Sequence, residues 1–417
     1  MLLRDALCSA GVGRPRDRFQ RISQQLRRRL VFGQNVKLLL FANTEWYLYN
    51  FRLALAEAIV ARGHSVTLVS PPGPYGERLL ALGMDWRPLP LARRSLNPAR
   101  ELSALGKLVG LYRELHPDLV HHFTLECILL GSLAASLAGV PAVVNAVAGL
   151  GSIFTGGSMR ARILRRPVGA LLKHAFRRSE AILQNPEDLE GLVAAHIVER
   201  SRAHLIRGSG VDTARFAVPL RNGTAGAGNI LLASRLLRAK GVEEFVEAAL
   251  RLKPKFPQLS FQVAGTPDPG SPDAIPNNDI ERWSAGGLIE FLGHREDMPS
   301  LLAGVALVAL PTYYGEGVPR ILLEAAASGL PLIATDVPGC REVVRHEENG
   351  LLIGPRDPVA LAAAIERLML DPGERARMGK RSRAIACEEF SEELVVSETI
   401  KVYDIAVRAK TRSRPTI

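Results

Sequence analysis

The sequence predicts an α/β protein with two doubly wound domains that face each other across a cleft. The chain has 417 residues, which is more than one ordinary hydrophobic core accommodates. Short apolar runs alternate with helical patterns along its length, as they do in successive βαβ units. Hydrophobic residues make up 47% of the chain and aromatic residues only 6%, a balance that favours α/β sheets over an all-β fold.

The first domain is predicted at residues 36–216. It begins with a strand at 36–42, a helix at 46–62 and a strand at 65–70, and such a βαβ connection makes the sheet parallel. Further strands are expected at 118–121, 141–146, 180–183 and 203–206. Helices at 98–116 and 126–138 would cover the sheet.

The second domain is predicted at residues 229–390 and repeats the same alternation. Before it, residues 217–228, AVPLRNGTAGAG, have no apolar period and predict a linker. Its strands are expected at 229–233, 260–264, 288–292, 305–310, 331–334 and 351–353. Residues 391–417 predict a C-terminal helix that packs back on the first domain and ends in a basic tail.

Residues 1–35 predict an N-terminal extension to the fold. Phe19, Ile22, Leu26 and Leu30 recur at helical spacing, and eight arginines against two aspartates give residues 1–34 six of the net +11 charges. Such a basic amphipathic helix would lie on an anionic membrane, although a solvated segment fits equally well. The remaining chain is only mildly basic and has no aromatic-rich RNA-binding signature, so we expect no nucleic-acid partner.

Cysteine usage and hydropathy predict a cytoplasmic protein. The four cysteines show no metal-ligand spacing, which indicates free thiols in a reducing compartment; they are Cys8, Cys127, Cys340 and Cys387. No apolar stretch reaches the roughly 18 residues needed to span a bilayer. The start of the chain has no signal-peptide pattern either, because Arg4 and Asp5 interrupt it.

The most informative stretch is 312–334, TYYGEGVPRILLEAAASGLPLIA. It follows an apolar strand, and it places Glu316 on a polar turn and Glu324 two helical turns further on. Pro319 suits the first turn of the helix. Ligands bind open α/β sheets at such a turn after a parallel strand. Because a helix N-terminus favours anions, the two carboxylates suit the hydroxyl groups of a ribose or a sugar rather than a phosphate.

Two other turns of the second domain complete the predicted site. Arg235 and Lys240 follow its first strand and are expected to converge on a diphosphate, since arginine supplies a planar fork and lysine a point charge. A solvated basic loop is the alternative. Gly265 follows the second strand, where the missing side chain would let the backbone approach a ligand.

Among these motifs, GEGVPRILLEA resembles the E-x7-E motif of retaining GT-B glycosyltransferases, in particular that of the bacterial family 4 enzymes. The resemblance covers residues 36–408 and implies two Rossmann-like domains. Supporting stretches lie at 210–216, 235–241, 291–293 and 336–342. Stretches of the first domain resemble the capsule and O-antigen branch, which includes enzymes that add an N-acetylhexosamine to an undecaprenyl-diphosphate-linked sugar; they lie at 43–48, 70–73, 94–98, 118–124 and 145–151.

The resemblance implies a role for each matching residue. Glu324 would bind the ribose hydroxyls of the donor and Glu316 the transferred sugar. Arg235 and Lys240 would hold the diphosphate and stabilise the leaving nucleotide. The remaining donor-binding positions would act largely through their backbone, near the diphosphate or the base: Gly265, His294, Arg295, Gly317, Val318 and Pro319.

The implied reaction is retaining and needs no metal or other cofactor besides the UDP-sugar substrate. Consistent with this, the sequence contains no Asp-x-Asp triplet. Without a metal, the basic pair must neutralise the departing diphosphate. An oxygen of that diphosphate can take the proton of the acceptor, so front-face attack needs no protein nucleophile.

The first domain departs from the family at two turns, and its site residues are candidates only. Relatives have a glycine pair where this chain has Asn43 and Glu45, and a second histidine where it has Phe123. His122 would contact the sugar from one position earlier, or else be structural. Glu45 would face the acceptor or be solvated. Asn145 is a third acceptor-side candidate.

The predicted function is transfer of a sugar, expected to be an N-acetylhexosamine, from a UDP-sugar to a lipid-diphosphate-linked acceptor in surface-polysaccharide assembly. Basic residues of the first domain would place the enzyme peripherally on the inner face of the cytoplasmic membrane, unless they are ordinary surface charge; they are Arg93, Arg94, Arg100, Lys107 and the arginines and lysine of 160–178. A sugar-nucleotide epimerase of the same fold and a catalytically silent sugar-nucleotide-binding subunit are the alternatives.

Overall fold

The computed structural model describes residues 35–91, 98–149, 159–217, 228–268, 270–315 and 317–411. Contacts divide these residues into two units, the first made of residues up to Gly210 together with those from Glu392, and the second of Val211–Ser391. The predicted extension at 1–35 falls outside the described residues except for Asn35, and so does most of the predicted linker.

The first unit contains a seven-stranded parallel sheet in the order β3-β2-β1-β4-β5-β6-β7. Its strands are β1 Lys37–Phe41, β2 Ser65–Ser70, β3 Asp85–Pro88, β4 Leu119–Phe123, β5 Ala142–Val147, β6 Glu180–Leu183 and β7 Ala203–Leu205. β3 was not predicted, because its residues are mostly exposed and form no apolar run.

Seven longer helical segments and one 3₁₀ turn, Arg200–Arg202, belong to the described part of this unit. α1 is a continuous run in which Glu45–Tyr47 and Leu53–Val60 flank a π-helical turn, Leu48–Arg52. The others are α2 Pro74–Ala81, α3 Pro98–Leu115, α4 Leu125–Ala138, α5 Met159–Phe176, α6 Pro186–Ala194 and α14 Glu392–Thr411, which is numbered last because it ends the described chain.

Alternate side chains of the central strands enter two different cores. Leu38 and Leu40 of β1 pack on the side of α1 and α14, where Tyr403 of α14 is buried. Leu39 and Phe41 pack on the opposite side, against α3 and α4. Both faces of the sheet are therefore buried, which explains why its strands read as continuous apolar runs.

The second unit repeats the strand order in a six-stranded parallel sheet, β10-β9-β8-β11-β12-β13. Its strands are β8 Asn229–Ala233, β9 Ser260–Ala264, β10 Glu290–Gly293, β11 Leu307–Leu310, β12 Leu332–Thr335 and β13 Gly350–Ile353. Its helices are α7 Val242–Leu252, α8 Asn277–Ala285, α9 Met298–Ala303, α10 Arg320–Ala327, α11 Pro338–Arg341, α12 Pro358–Leu370 and α13 Pro372–Glu389.

Both sheets thus have the doubly wound order, which confirms the predicted fold class. The order reverses between β1 and β4 in the first unit and between β8 and β11 in the second. Open α/β sheets bind ligands at the carboxyl ends of the strands beside such a reversal. In the second unit these ends carry residues 234–241, here called the β8 turn, and residues 311–319, here called the β11 turn.

Candidate functional site

The β8 and β11 turns are joined by direct contacts. The backbone N–H of Tyr313 and the hydroxyl of Thr312 both donate to the carbonyl of Ala239, at 2.9 and 3.0 Å. Gly241 begins the link to α7 with φ +78°, and a Cβ there would collide with the carbonyl oxygen of Pro311. Only glycine fits this position without displacing the β11 turn.

Lys240 is held between these two turns. Its side chain is nearly buried, with 7% of the residue exposed, and its ammonium lies 5.3 Å from the centroid of the Tyr314 ring. The backbone N–H of Tyr314 in turn donates to the hydroxyl of Thr312 at 3.2 Å. A positive charge is therefore fixed on the β11 side of the β8 turn.

Arg235 contacts the segment after β9, the strand that pairs with β8 on the side away from β11. Its Nη1 donates to Oδ2 of Asp268, which follows β9, at 2.7 Å. Gly265 brings the two turns together, because its φ is +143° and a Cβ would collide with the carbonyl of Ser234. Arg235 and Lys240 thus share one turn, but Lys240 contacts the turn after β11 and Arg235 the segment after β9. Nothing in the sequence pointed to Asp268.

Glu324 lies on α10 beside an arginine of the same helix. Its Oε1 accepts from Nε of Arg320 at 2.9 Å, and both side chains are largely buried. Arg320 was not among the predicted site residues, although its spacing of four residues from Glu324 favours such a pair. The predicted place of Pro319 needs a correction, since it precedes the helix as its N-cap.

The other predicted donor-binding residues differ in their burial and in their partners. Glu316 lies outside the described residues, while Gly317 is buried and Val318 half-buried. His294 is exposed after β10. Arg295 forms a two-pronged ion pair with Asp297, with N–O distances of 2.7 and 2.6 Å. The assigned donor roles of these residues stay predictions.

The predicted sugar contact of His122 is contradicted by its position in the first-unit core. The residue is 0% exposed. Its Nδ1 lies 2.8 Å from Oδ1 of Asn145 and its Nε2 lies 3.0 Å from the hydroxyl of Tyr112. Burial lowers the pKa of His122 to about 4. The neutral ring therefore donates to Asn145 and accepts from Tyr112, whose pKa burial raises well above its ordinary value.

Asn145 is likewise a core residue rather than an acceptor contact. It is 0% exposed, and its Nδ2 donates to the hydroxyls of Ser132 and Ser179 at 3.0 Å each. Burying these polar groups is tolerated because each has a partner. The structure thus supports the structural alternative given for His122, and it places Asn145, predicted only as an acceptor-side contact, in the same core network.

Glu45 is neither solvated nor on a free turn. It occupies the first turn of α1, where Thr44 caps the helix by accepting from the N–H of Tyr47 at 3.1 Å. The residue is 8% exposed, and its carboxylate lies against Gly73, beyond the end of β2. Asn43 beside it is half-buried. Their acceptor-side roles stay predictions.

The described residues contain neither a cluster of metal ligands nor a membrane-spanning helix. Within those ranges, no group of three or more histidine, cysteine, aspartate or glutamate side chains is arranged to hold a metal ion. Nor is any helix there long and apolar enough to cross a bilayer.

The two doubly wound sheets have the architecture of the GT-B fold, and sequence comparison places the chain among the glycosyltransferases. One family model, described as Glycosyl transferase 4-like, matches residues 37–186. Another, described as Glycosyl transferases group 1, matches residues 227–371. The chain belongs to these group 1, family 4-like glycosyltransferases, which confirms the predicted family.

The names of two relatives describe transfer reactions with different products. The chain is 26% identical over 373 residues to N,N'-diacetylbacillosaminyl-diphospho-undecaprenol alpha-1,3-N-acetylgalactosaminyltransferase of Campylobacter jejuni, covering 87% of this chain and 96% of the relative. It is also 26% identical over 314 residues to glycogen synthase of Mycobacterium tuberculosis, covering 74% of each.

Among solved structures, Anabaena HepE in complex with UDP and glucose has the same fold. Its TM-score is 0.73 at 20% identity, over 88% of this chain and 99% of that protein.

Proposed function

We propose that the protein transfers an N-acetylhexosamine from a UDP-sugar to a lipid-diphosphate-linked saccharide, with retention and without a metal. The observation that carries this proposal is Lys240, a nearly buried cation held between two turns at the switch point of the second unit. The UDP bound by HepE supports the choice of donor. The undecaprenol-linked substrate in the name of the Campylobacter relative supports the choice of acceptor.

Lys240 would stabilise the leaving nucleotide by placing its ammonium beside the diphosphate. Its burial matters, because a charge–charge interaction is stronger in a medium of low dielectric constant than in water. Arg235 would add a second cation, at the cost of sharing its guanidinium with Asp268. The departing diphosphate oxygen would accept the proton of the acceptor hydroxyl as the new glycosidic bond forms.

Glu324 would accept hydrogen bonds from the ribose hydroxyls. A carboxylate has about four lone-pair positions, and the contact with Nε of Arg320 occupies one of them on Oε1. Arg320 would therefore orient the carboxylate of Glu324.

Transfer from a panel of UDP-sugars to bacterial lipid extract should reveal the donor and the acceptor. We expect Glu316→Ala to lose at least about 10-fold in rate, because a contact with the transferred sugar is part of the transition state. Glu281→Ala, at an exposed position on α8, is the matched control. Transfer by Glu316→Ala at the parent rate would remove its assigned role, and conversion of the UDP-sugar without acceptor would indicate an epimerase instead.

Peripheral binding to the inner face of the cytoplasmic membrane is part of this proposal. Support comes from the arginines of residues 1–34 and from exposed cations of the first unit, Arg100, Lys107, Lys173 and Arg177. A chain lacking residues 1–34 should co-sediment less with vesicles of anionic phospholipid than the full chain does, and the difference should shrink as salt rises. Equal co-sedimentation of the two chains at low salt would refute the role of this segment.

A further inference from the structure

A buried arginine lies at the switch point of the first unit, where no role has been assigned. Arg52 ends the π-helical turn of α1 and is 5% exposed. Its guanidinium carbon lies 4.5 Å from the ring centroid of Phe123 and 5.3 Å from that of Tyr47. Its Nη2 donates to the hydroxyl of Tyr47 at 2.8 Å.

This guanidinium has no counter-charge among the residues that the structure describes. No carboxylate there pairs with it, and its Nε is buried without an acceptor. A guanidinium carries five N–H donors and stays protonated. The two aromatic rings and one hydroxyl offset only part of the cost of burying such a charge.

The neighbouring titratable groups supply no negative charge either. Burial, and to a lesser extent the nearby charge of Arg52, lowers the pKa of His121 well below its ordinary value. The imidazole of His121 is therefore neutral. Its Nδ1 lies 2.6 Å from the hydroxyl of Tyr403. Burial raises the pKa of Tyr403 above its ordinary range, and that phenol is also neutral.

The location of Arg52 favours a ligand over a purely structural role. Phe123 is the last residue of β4, and α1 follows β1, the strand that pairs with β4 where the order reverses. Arg52 therefore extends from the helix after one of these strands to the end of the other. This is the edge at which doubly wound sheets bind ligands, and π-helical turns are frequent at functional sites.

We propose that Arg52 binds a phosphoryl oxygen of the diphosphate in the lipid-linked acceptor. The planar guanidinium of Arg52, with one N–H that has no acceptor, matches phosphate geometry. An anion bound there would neutralise a positive charge that no described residue balances. The choice of the acceptor rests on the proposed function, because the donor diphosphate is assigned to Arg235 and Lys240 of the second unit. Arg52 is thus a binding residue, and no proton moves.

Direct binding of diphosphates tests the proposal without requiring transfer. Isothermal titration would measure farnesyl diphosphate, a soluble prenyl diphosphate, and inorganic pyrophosphate, each in the presence of saturating UDP. UDP alone would be titrated separately. We expect Arg52→Gln to weaken farnesyl diphosphate and pyrophosphate about 10- to 100-fold, the range of a lost charge-assisted contact, and to leave UDP within twofold of the parent.

Two further variants separate ligand binding from folding. Arg62→Gln removes a partly buried arginine just beyond α1, whose Nη1 donates to the carbonyl of Ala58, and should leave diphosphate binding unchanged. Arg52→Lys keeps the charge without the fork and should weaken farnesyl diphosphate about threefold or more, which keeps the test informative if Arg52→Gln does not fold.

Three outcomes would overturn the proposal: no binding of farnesyl diphosphate by the parent, binding by a folded Arg52 variant within twofold of the parent, or an equal loss for UDP. If diphosphate binding depends on Arg52 but no transfer occurs, the proposed reaction fails while this site stands.

Discussion

Replacing Lys240 with alanine should lower kcat/KM for the nucleotide sugar by about 10²–10³, the usual cost of removing one group that stabilises transition-state charge. The ammonium lies against Tyr314 and is nearly buried, so water replaces it poorly. The negative charge on the diphosphate grows as the glycosidic bond breaks. The loss should therefore appear in kcat as well as in KM, and steady-state kinetics with varied donor would measure both.

Lys255→Ala is the matched control for this variant. Lys255 is an exposed lysine of the same unit that pairs with Glu366, and its removal should leave the kinetics within twofold. A Lys240→Ala enzyme that kept kcat/KM within threefold of the parent would show that the buried ammonium does not contact the leaving group.

The first unit should lose stability as the pH falls from about 6.5 to about 4. His122 has a pKa of about 4 in the folded chain and about 6.5 when unfolded. Above both values the ring is neutral in both states. Between them the unfolded chain binds a proton that the folded chain does not, so unfolding becomes easier by roughly 1.4 kcal/mol per pH unit, or about 3 kcal/mol in total.

Urea unfolding at several pH values would measure this effect in a Trp283→Phe background. That change leaves Trp46 and Trp86, both in the first unit, as the fluorescent reporters. His122→Gln should flatten the pH dependence by about one proton. His174→Gln, at an exposed position on α5, should not. Equal slopes in all three proteins would contradict the neutral, buried state of His122.

The sequence was sufficient for the fold class and for the turns that carry the site, because both depend on local patterns. A strand followed by Gly-Glu-Gly and a helix can be recognised from the sequence alone. The second unit also has its basic turn where the sequence predicted it. The pairing of Arg235 with Asp268 could not be foreseen, since it joins residues 33 positions apart across a sheet. Strand order, which decides that proximity, is absent from the local pattern.

His122 shows where the first-unit prediction failed. The family pattern placed a histidine near the sugar, but both faces of a doubly wound sheet are buried. A polar side chain within such a strand then needs partners inside the core, and Tyr112 and Asn145 supply them. The solvated alternative for Glu45 was wrong for a related reason, because its carboxylate packs against Gly73 beyond the end of β2.

The return of α14 to the first unit has a consequence for synthesis of the protein. Tyr403 contributes its ring to the first-unit core and its hydroxyl to His121, yet the whole second unit is translated between that core and α14. The ribosome must therefore synthesise all of the second unit before α14 can complete the first-unit core. Until then, the face of the first sheet that α14 covers lacks the packing of Tyr403.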